Sequence, residues 1–240
     1  MLPPKHWQPD RVLRLFFSIL FGFGAGGLLF QSVDLIYRRN GIEPPQALML
    51  CLGSLALHGV AIPALAWFVW GHGYTLASAF GLLGSRRWRA ILLGALLAAG
   101  MLPLGYALLS AVRAALDAVG YPADAQEHVH LLLESKSLLV RGYIFTFSVI
   151  IAPWVEEAIF RGVLYPFIRD LGYPRFAFWG TAILFGLVHM NRAAFLPLTV
   201  FGLSLAWLYQ RTGNLLAPVT AHVLFNLAPF VALAAGTDLK

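Results

Sequence analysis

Charge is scarce in this chain: 12% of its 240 residues are charged, whereas 59% are hydrophobic. Soluble domains carry about twice that charged fraction, so the composition excludes an ordinary soluble domain. Several apolar runs reach the ~20 residues needed to cross a bilayer. The sequence therefore predicts an all-α protein, a polytopic membrane helix bundle of about seven transmembrane helices (six to eight), forming a single domain over residues 1–240.

Cysteine is almost absent, and the commonest hydrolase signatures are missing. The single cysteine, Cys51, excludes an intrachain disulfide. No His-Glu-x-x-His helix is present, which removes the commonest zinc protease signature. No Gly-x-Ser-x-Gly elbow is present either, so a serine hydrolase of that type has little support. The net charge of +6 comes largely from arginines at segment ends, where they can meet lipid head groups, so the expected partners are the lipid bilayer and membrane-borne substrates, with no nucleic acid.

Apolar runs divide the chain into seven predicted spans. The first continues too far to be a cleaved signal peptide, and we expect it to stay as an anchor. Glycines between residues 22 and 27 predict close helix packing rather than a dinucleotide site, because no strand precedes them. Segment 74–89 is predicted to lie at the membrane interface, and 113–137 to form the one substantial extramembrane loop. The predicted spans cover approximately residues 12–37, 46–70, 88–112, 138–168, 176–189, 194–209 and 216–235.

The fourth span contains the adjacent acids Glu156 and Glu157, two of only eleven acidic residues in the chain. A charged side chain at the bilayer centre costs roughly 2.5–3.5 kcal/mol on insertion scales, so such residues usually face a polar site. Glu157 and Arg161 are four residues apart and can pair on one helix face. Glu156 points about 100° away around the helix, so it is free to act as a base. Pro153 is predicted to loosen the helix just before the pair.

Two further spans carry polar groups. The fifth ends in Phe185-Gly-Leu-Val-His189, and the seventh contains His222-Val-Leu-Phe-Asn226, whose polar side chains share a helix face. A histidine at a membrane-helix end is more often structural than catalytic, and a His/Asn pair can simply join helices. With the paired glutamates, however, the set offers a base, two imidazoles and an amide donor on three segments that a bundle can bring together. His58 and His72, with no acidic residue nearby in sequence, are expected to be structural.

This set of groups suits hydrolysis in two ways. A glutamate can take a proton from water, while an imidazole and an amide stabilise the oxyanion of a tetrahedral intermediate. Alternatively, Glu156, His189 and His222 are competent ligands for zinc, which in catalytic sites takes three protein groups and a water. The sequence leaves open whether the cofactor is none or one divalent metal.

The three motifs together resemble the CPBP intramembrane proteases, also known as the CAAX-protease and bacteriocin-processing or ABI family. The pattern is Glu-Glu-x-x-x-Arg, Phe-x-x-x-His and His-x-x-x-Asn, and residues 140–230 are predicted to form the catalytic core. The resemblance implies an intramembrane endopeptidase, a hydrolase that cuts a membrane-associated protein or peptide. It also implies catalytic roles for Glu156, Glu157, His189, His222 and Asn226, with Arg161 and Phe185 in support. A glutamate-activated water is favoured over zinc because asparagine is a poor zinc ligand.

Two other classes of function compete with proteolysis. Intramembrane titratable groups also mark proton-coupled transporters, although no paired halves typical of transporters are visible. A non-catalytic membrane scaffold is the other alternative. The short Ala-, Gly- and Arg-rich chain favours a bacterial protein, so we expect the location to be the bacterial inner membrane. Prenylated tails, leader peptides and sorting tails all remain possible substrates.

Overall fold

The computed structural model describes residues 5–83, 87–121, 135 and 137–235. Within these ranges the chain forms helices and no strand, which confirms the all-α prediction. The helices are α1 (Pro9–Arg39), α2 (Gln46–Gly71), α3 (Leu76–Ala79), α4 (Arg87–Ala118), α5 (Leu138–Asp170), α6 (Pro174–Val188), α7 (Arg192–Thr212) and α8 (Leu216–Ala234).

Five of the described helices, α1, α2, α4, α5 and α7, are long and apolar enough to cross a membrane. The other two apolar helices, α6 and α8, are shorter. These seven helices correspond in order to the seven predicted spans. The chain is an integral membrane protein.

The structure moves the boundaries of two predicted segments. Helix α4 ends at Ala118 rather than near residue 112, because residues 113–118 are mostly good helix formers even where the apolar run has ended. Residues 122–134 and 136 of the predicted loop, including His128 and His130, lie outside the described part. In the predicted interfacial segment, α3 is a single turn capped by the Thr75 side chain, and residues 84–86 are outside the description.

The glycine-rich stretch of α1 packs against α2 through only some of its glycines. A Cβ atom at Gly22 would clash with Val60, and one at Gly26 would clash with Ala56. Helices that approach this closely need small residues at the contact. Gly24 and Gly27 have no such neighbour, so the predicted close packing is confirmed for the face that carries residues 22 and 26.

Helix α5 departs from α-helical hydrogen bonding at two places. Residues Thr146–Ile151 and Ala158–Leu164 form π-helical turns, and α-helical segments follow each of them. A proline lies at the second position of each following segment, Pro153 and Pro166. Because proline has no N–H, each one leaves a carbonyl of the preceding turn available to another donor. The loosening expected near Pro153 therefore takes the form of a π-helical turn just before it.

The packing of the bundle places α5 among the other helices of the C-terminal half. Helix α5 contacts α2, α6, α7 and α8. One buried cluster joins the N-terminal residues to α2 and α5, and includes Trp7, Phe68, Phe80 and Tyr165. A second joins α4, α6, α7 and α8 around Phe185 and Phe201. The polar residues of α5 lie where these elements meet.

Candidate active site

The two glutamates of α5 have different surroundings. Glu157 is fully buried, and its Oε1 accepts a hydrogen bond from Nη1 of the equally buried Arg161 at 2.9 Å. The pairing expected from the four-residue spacing is therefore present. Arg161 also donates from Nη2 to the Gly202 carbonyl of α7, at 2.9 Å. Removing one partner of a buried pair costs about 3–5 kcal/mol, because the other charge is left uncompensated.

Glu157 also orients His222 of α8. The His222 Nδ1 atom lies 2.9 Å from the same Oε1 atom that binds Arg161. The Glu157 carboxylate oxygen already accepts a hydrogen bond from Arg161, and it accepts one from His222 as well. The proton therefore sits on Nδ1, and Nε2 of His222 is directed to the other side of the ring. A carboxylate that holds a histidine in one tautomer is a common supporting arrangement in catalytic sites.

His189, just past the end of α6, is held in the same tautomer by a backbone group. Its Nδ1 lies 2.7 Å from the Phe185 carbonyl oxygen. A carbonyl can only accept, so Nδ1 donates and the Nε2 lone pair is free. The i to i+4 spacing brings this carbonyl within reach because the residue follows directly on the last helical turn.

Glu156 faces both free Nε2 atoms. Its Oε2 lies 3.8 Å from Nε2 of His222 and 4.0 Å from Nε2 of His189. These distances are too long for direct hydrogen bonds. The Oε2 atom is buried and has no hydrogen-bond partner among the described residues. The side chains of Glu156 and His189 are 24% and 26% exposed, whereas that of His222 is 3% exposed, so one side of the site is accessible.

Phe185 packs against three side chains of this site, those of Arg161, His189 and His222. The Arg161 guanidinium lies 4.6 Å from its ring centre, a distance typical of a cation–π contact. The His189 and His222 rings meet it edge-on, at 4.9 and 5.6 Å between centroids. With no exposed surface of its own, Phe185 limits the positions available to both imidazoles.

Asn226 lies one turn beyond His222 on α8, and its side chain has a partner on α5. Its Nδ2 donates to the Ser148 carbonyl at 2.9 Å. In the π-helical register the Ala152 N–H bonds to Phe147 five residues back. The next such donor, to Ser148, would be Pro153, which has no N–H. Asn226 therefore uses one amide hydrogen to satisfy a carbonyl that the proline leaves free.

The structure thus brings together the groups that the sequence placed on three segments. Glu156, His189 and His222 surround one gap. Glu157, held by Arg161, binds His222 on the side of its ring away from that gap. Asn226 contacts α5 earlier in the helix, two turns before the glutamates. The catalytic roles of these residues remain predictions.

Two contributors escaped the sequence analysis. His58 of α2, expected to be structural, packs edge-on against Phe147 of α5, and both of its ring nitrogens are buried without a hydrogen-bond partner among the described residues. Trp7 is 4% exposed and donates from its indole N–H to the Gly162 carbonyl at 3.1 Å. No spacing or motif in the sequence indicated this contact.

The spacing of the site atoms also bears on metal binding. Among the residues that the structure describes, no group of three or more His, Cys, Asp or Glu side chains is arranged to hold a metal ion. Zinc bound at about 2.1 Å to nitrogen and oxygen in a tetrahedron holds its donors about 3.4 Å apart. The gaps of 3.8 and 4.0 Å at Glu156 are wider.

The site therefore consists of a carboxylate, Glu156, that faces two oriented imidazoles in a membrane protein, a set of groups that suits hydrolysis. Comparison with known proteins agrees: residues 138–228 match the family model described as "Type II CAAX prenyl endopeptidase Rce1-like". This match confirms the resemblance predicted from the three motifs.

A curated relative is similar to part of the chain. The protein named "Putative membrane peptidase YdiL", from Bacillus subtilis (strain 168), is 33% identical over 79 residues. The match covers 33% of this chain and 32% of that protein, so it spans about a third of the relative's length. No solved structure matches the chain.

Proposed function

We propose that this protein is an intramembrane endopeptidase that hydrolyses a peptide bond of a membrane-borne protein or peptide. The observation that carries the proposal is the approach of Glu156 Oε2 to the Nε2 atoms of His222 and His189, at 3.8 and 4.0 Å. Ionisable groups at membrane depth are costly and are kept where they serve a function. The family match over residues 138–228 and the relative's name support peptidase chemistry over transport.

A water molecule fits the gap between these atoms. A water oxygen about 2.8 Å from a carboxylate oxygen and from an imidazole nitrogen spans a gap of about 4 Å when the angle at the water is about 90°. The two measured gaps are of this size. The unpartnered Oε2 of Glu156 supplies the acceptor for one of the water's hydrogens. Glu156 is therefore proposed as the general base.

The hydrogen-bond inventory indicates one additional proton at the site. Both histidines use Nδ1–H to bond Glu157 and the Phe185 carbonyl, so their Nε2 atoms and Glu156 form three acceptors around one gap. A water has only two hydrogens to donate. Two ionised glutamates and Arg161 also leave one uncompensated negative charge. A proton on one imidazole satisfies both conditions and provides a general acid.

The proposed reaction uses this acid and base in turn. Glu156 accepts a proton from the water while the water oxygen forms a bond to the carbonyl carbon and the carbonyl π electrons move to its oxygen. The tetrahedral intermediate then collapses, and the carbon–nitrogen bond breaks as the imidazolium gives its proton to the leaving nitrogen. Positioned general acid–base catalysis is worth roughly 10²–10⁴-fold.

The oxyanion needs donors close to the carbonyl carbon. An imidazolium N–H is one, and the second N–H of Asn226, which Ser148 does not use, is another. Donors of this kind contribute about 3–4 kcal/mol each in mutagenesis of other hydrolases. Asn226 is proposed to contribute in this way only when the substrate carbonyl lies on the α8 side of the gap.

A zinc-dependent form of the reaction has one observation in its favour. The lone pairs of Glu156, His189 and His222 converge, and Glu157 bonds the far nitrogen of His222 as carboxylates do behind zinc-bound histidines. However, the 3.8 and 4.0 Å gaps exceed the separation of donors around zinc. The residues in their present positions fit a water better than a metal, and no step above passes through one.

The proposed substrate class is supported by the position of the site within membrane helices, and the proposed location by other observations. The polar groups lie within helices of a membrane protein, so a substrate must present its peptide bond at or near the bilayer. We propose a membrane-anchored protein or peptide as the partner. We also propose the bacterial inner membrane as the location, supported by the chain's composition and by the Bacillus relative.

Cleavage assays with and without a chelator test the proposal. The purified protein, with its metal content measured, is incubated in detergent with a library of membrane-anchored peptides, and the products are identified by mass spectrometry. We expect cleavage that survives chelation in metal-free protein. Loss on chelation and recovery with zinc would replace the water mechanism by the zinc form, and no cleavage in either condition would contradict proteolysis.

A further inference from the structure

A pocket separates α2 from the first half of α5. It has a volume of about 220 Å³ and is partly open to the outside of the bundle. This is several times the ~30 Å³ that one water occupies in the liquid, so the pocket can receive a side chain. Its lining combines one face of α2 with one face of α5: Cys51, Ser54, Leu55, His58, Gly59, Ile62, Tyr143, Phe147 and Ile151.

The pocket lies beside the candidate active site along α5. Ile151, on its wall, precedes Glu156 by five residues on the same helix, and α2 packs on the turn Ala152–Glu157. A molecule that fills the pocket would therefore lie against the same pair of helices as the proposed base.

His58 is an unusual residue for such a wall. Both of its ring nitrogens are buried and have no hydrogen-bond partner among the described residues; the Ser54 carbonyl is near but outside hydrogen-bond geometry. Its ring packs edge-on against Phe147, at 5.8 Å between centroids. A buried polar group without a partner costs free energy, and a partner that enters the pocket from outside the chain would remove that cost.

An extended peptide at membrane depth has the matching requirement. Its backbone N–H and C=O groups have no water to bond and must find partners in the protein, while its apolar side chains need apolar contacts. The pocket offers both, with His58 as the polar group and Leu55, Ile62 and Phe147 as the apolar walls.

We propose that the pocket between α2 and α5 is a substrate subsite that holds an apolar side chain beside the scissile bond, with His58 bonding the substrate backbone. The inference rests on the proposed function and adds to it a preference for a large apolar residue near the cut. His58 is thereby a substrate-binding residue on a helix outside the three sequence motifs.

Changing the size of the pocket tests the subsite. Ile62, half exposed at the pocket wall, is replaced in Ile62→Ala and Ile62→Phe, and the cleavage profile is measured over peptides that differ only in the residue beside the cut. One methylene in an apolar pocket changes selectivity by roughly 10–200-fold. We expect at least tenfold shifts in kcat/KM, towards larger residues for the alanine variant and towards smaller ones for the phenylalanine variant. The control, Ile36→Phe, changes another exposed isoleucine, on α1 and outside the pocket.

Two His58 variants separate its polar role from its packing. His58→Phe keeps the ring contact with Phe147 but removes both nitrogens, and we expect KM to rise about tenfold, the cost of an unpaired backbone group. His58→Gln retains a polar tip and should restore much of the binding. An unchanged KM in His58→Phe, together with an unchanged profile in both Ile62 variants, would overturn the subsite, and a lipid chain would then be the occupant.

A binding assay distinguishes failure of the subsite from failure of the proposed function. The photoreactive residue p-benzoylphenylalanine is placed at position 62, and the captured library peptides are sequenced. Capture that depends on a large apolar residue supports the subsite. Capture by a protein that cleaves no peptide would overturn the proteolysis alone, whereas cleavage without capture and with an unchanged profile would overturn the subsite alone.

Discussion

Glu156 and Glu157 are adjacent and chemically identical, yet their surroundings give them different properties. Glu157 binds Arg161 and His222 through one oxygen and is fully buried. Glu156 has a free, buried oxygen facing two imidazole nitrogens. Glu157 holds its neighbours in place, whereas Glu156 is proposed to accept a proton from a bound water.

The role of Glu157 as a structural anion leads to a prediction about Arg161. In Arg161→Ala the Glu157 carboxylate stays buried without its cation, so we expect a loss of about 3–5 kcal/mol of stability along with activity. Thermal unfolding in detergent measures it. Arg161→Lys keeps the charge but loses the bond to Gly202, so its unfolding temperature should fall between those of the unaltered protein and Arg161→Ala. An unchanged unfolding temperature for Arg161→Ala would contradict the structural role of the pair.

Sequence spacing predicted some of these contacts and not others. The Glu157–Arg161 pair follows from positions four apart on a helix. The meeting of His189 and His222 at Glu156 depends on how α5, α6 and α8 pack, and it was expected only because three polar motifs lay in apolar spans. His58 was expected to be structural because no acidic residue is near it in sequence, and Glu156, the acid of the site, is almost a hundred residues away.

At the scale of single helices, α5 is organised by its prolines. Each of the two π-helical turns is followed by a proline, and Pro153 leaves the Ser148 carbonyl without a backbone donor. Asn226 donates a hydrogen bond to the Ser148 carbonyl, and Trp7 donates one to the Gly162 carbonyl. The site helix is thus tied to the C-terminal helix on one side and to the N-terminal segment on the other.

A rescue experiment tests the link to Asn226. In Asn226→Ala the Ser148 carbonyl loses its donor, and we expect a loss of about 1–3 kcal/mol of stability together with slower cleavage. Adding Pro153→Ala supplies an N–H in the right register, so the double variant should regain stability but not activity. Recovery of neither, measured by unfolding in detergent, would contradict the register argument.

The N-terminal link gives a second prediction for α5. Trp7→Phe keeps an aromatic ring against Phe68 but removes the indole N–H that Gly162 accepts. We expect a loss of about 1–3 kcal/mol of stability for the unsatisfied buried carbonyl. Trp179→Phe, at an exposed tryptophan of α6, is the matched control and should change little. Equal effects of the two substitutions would show that the hydrogen bond does not matter.

For the whole molecule, hydropathy was sufficient to predict the all-α class and the order of the seven apolar helices. It was less successful at their ends, because α4 continues to Ala118 on helix propensity after the apolar run stops. It also could not report the π-helical turns, since a change of register leaves the apolar pattern almost unaltered. Those turns set which side of α5 faces the gap, so the site's geometry needed the structure.

The whole bundle places a carboxylate, Glu156, at the gap where a water would be activated, and the proposed mechanism depends most on that residue. Glu156→Gln keeps the size of the side chain and removes its basicity. The most direct test is the cleavage rate of this variant, purified in detergent, on a membrane-anchored peptide that the unaltered protein cuts. Glu43→Gln, at an exposed loop position, is the control.

We expect Glu156→Gln to fold and accumulate normally but to cleave at least 10²-fold more slowly, the lower end of roughly 10²–10⁴ for a general base, while Glu43→Gln keeps full activity. Cleavage by Glu156→Gln at close to the normal rate would contradict the assignment of Glu156 as the base.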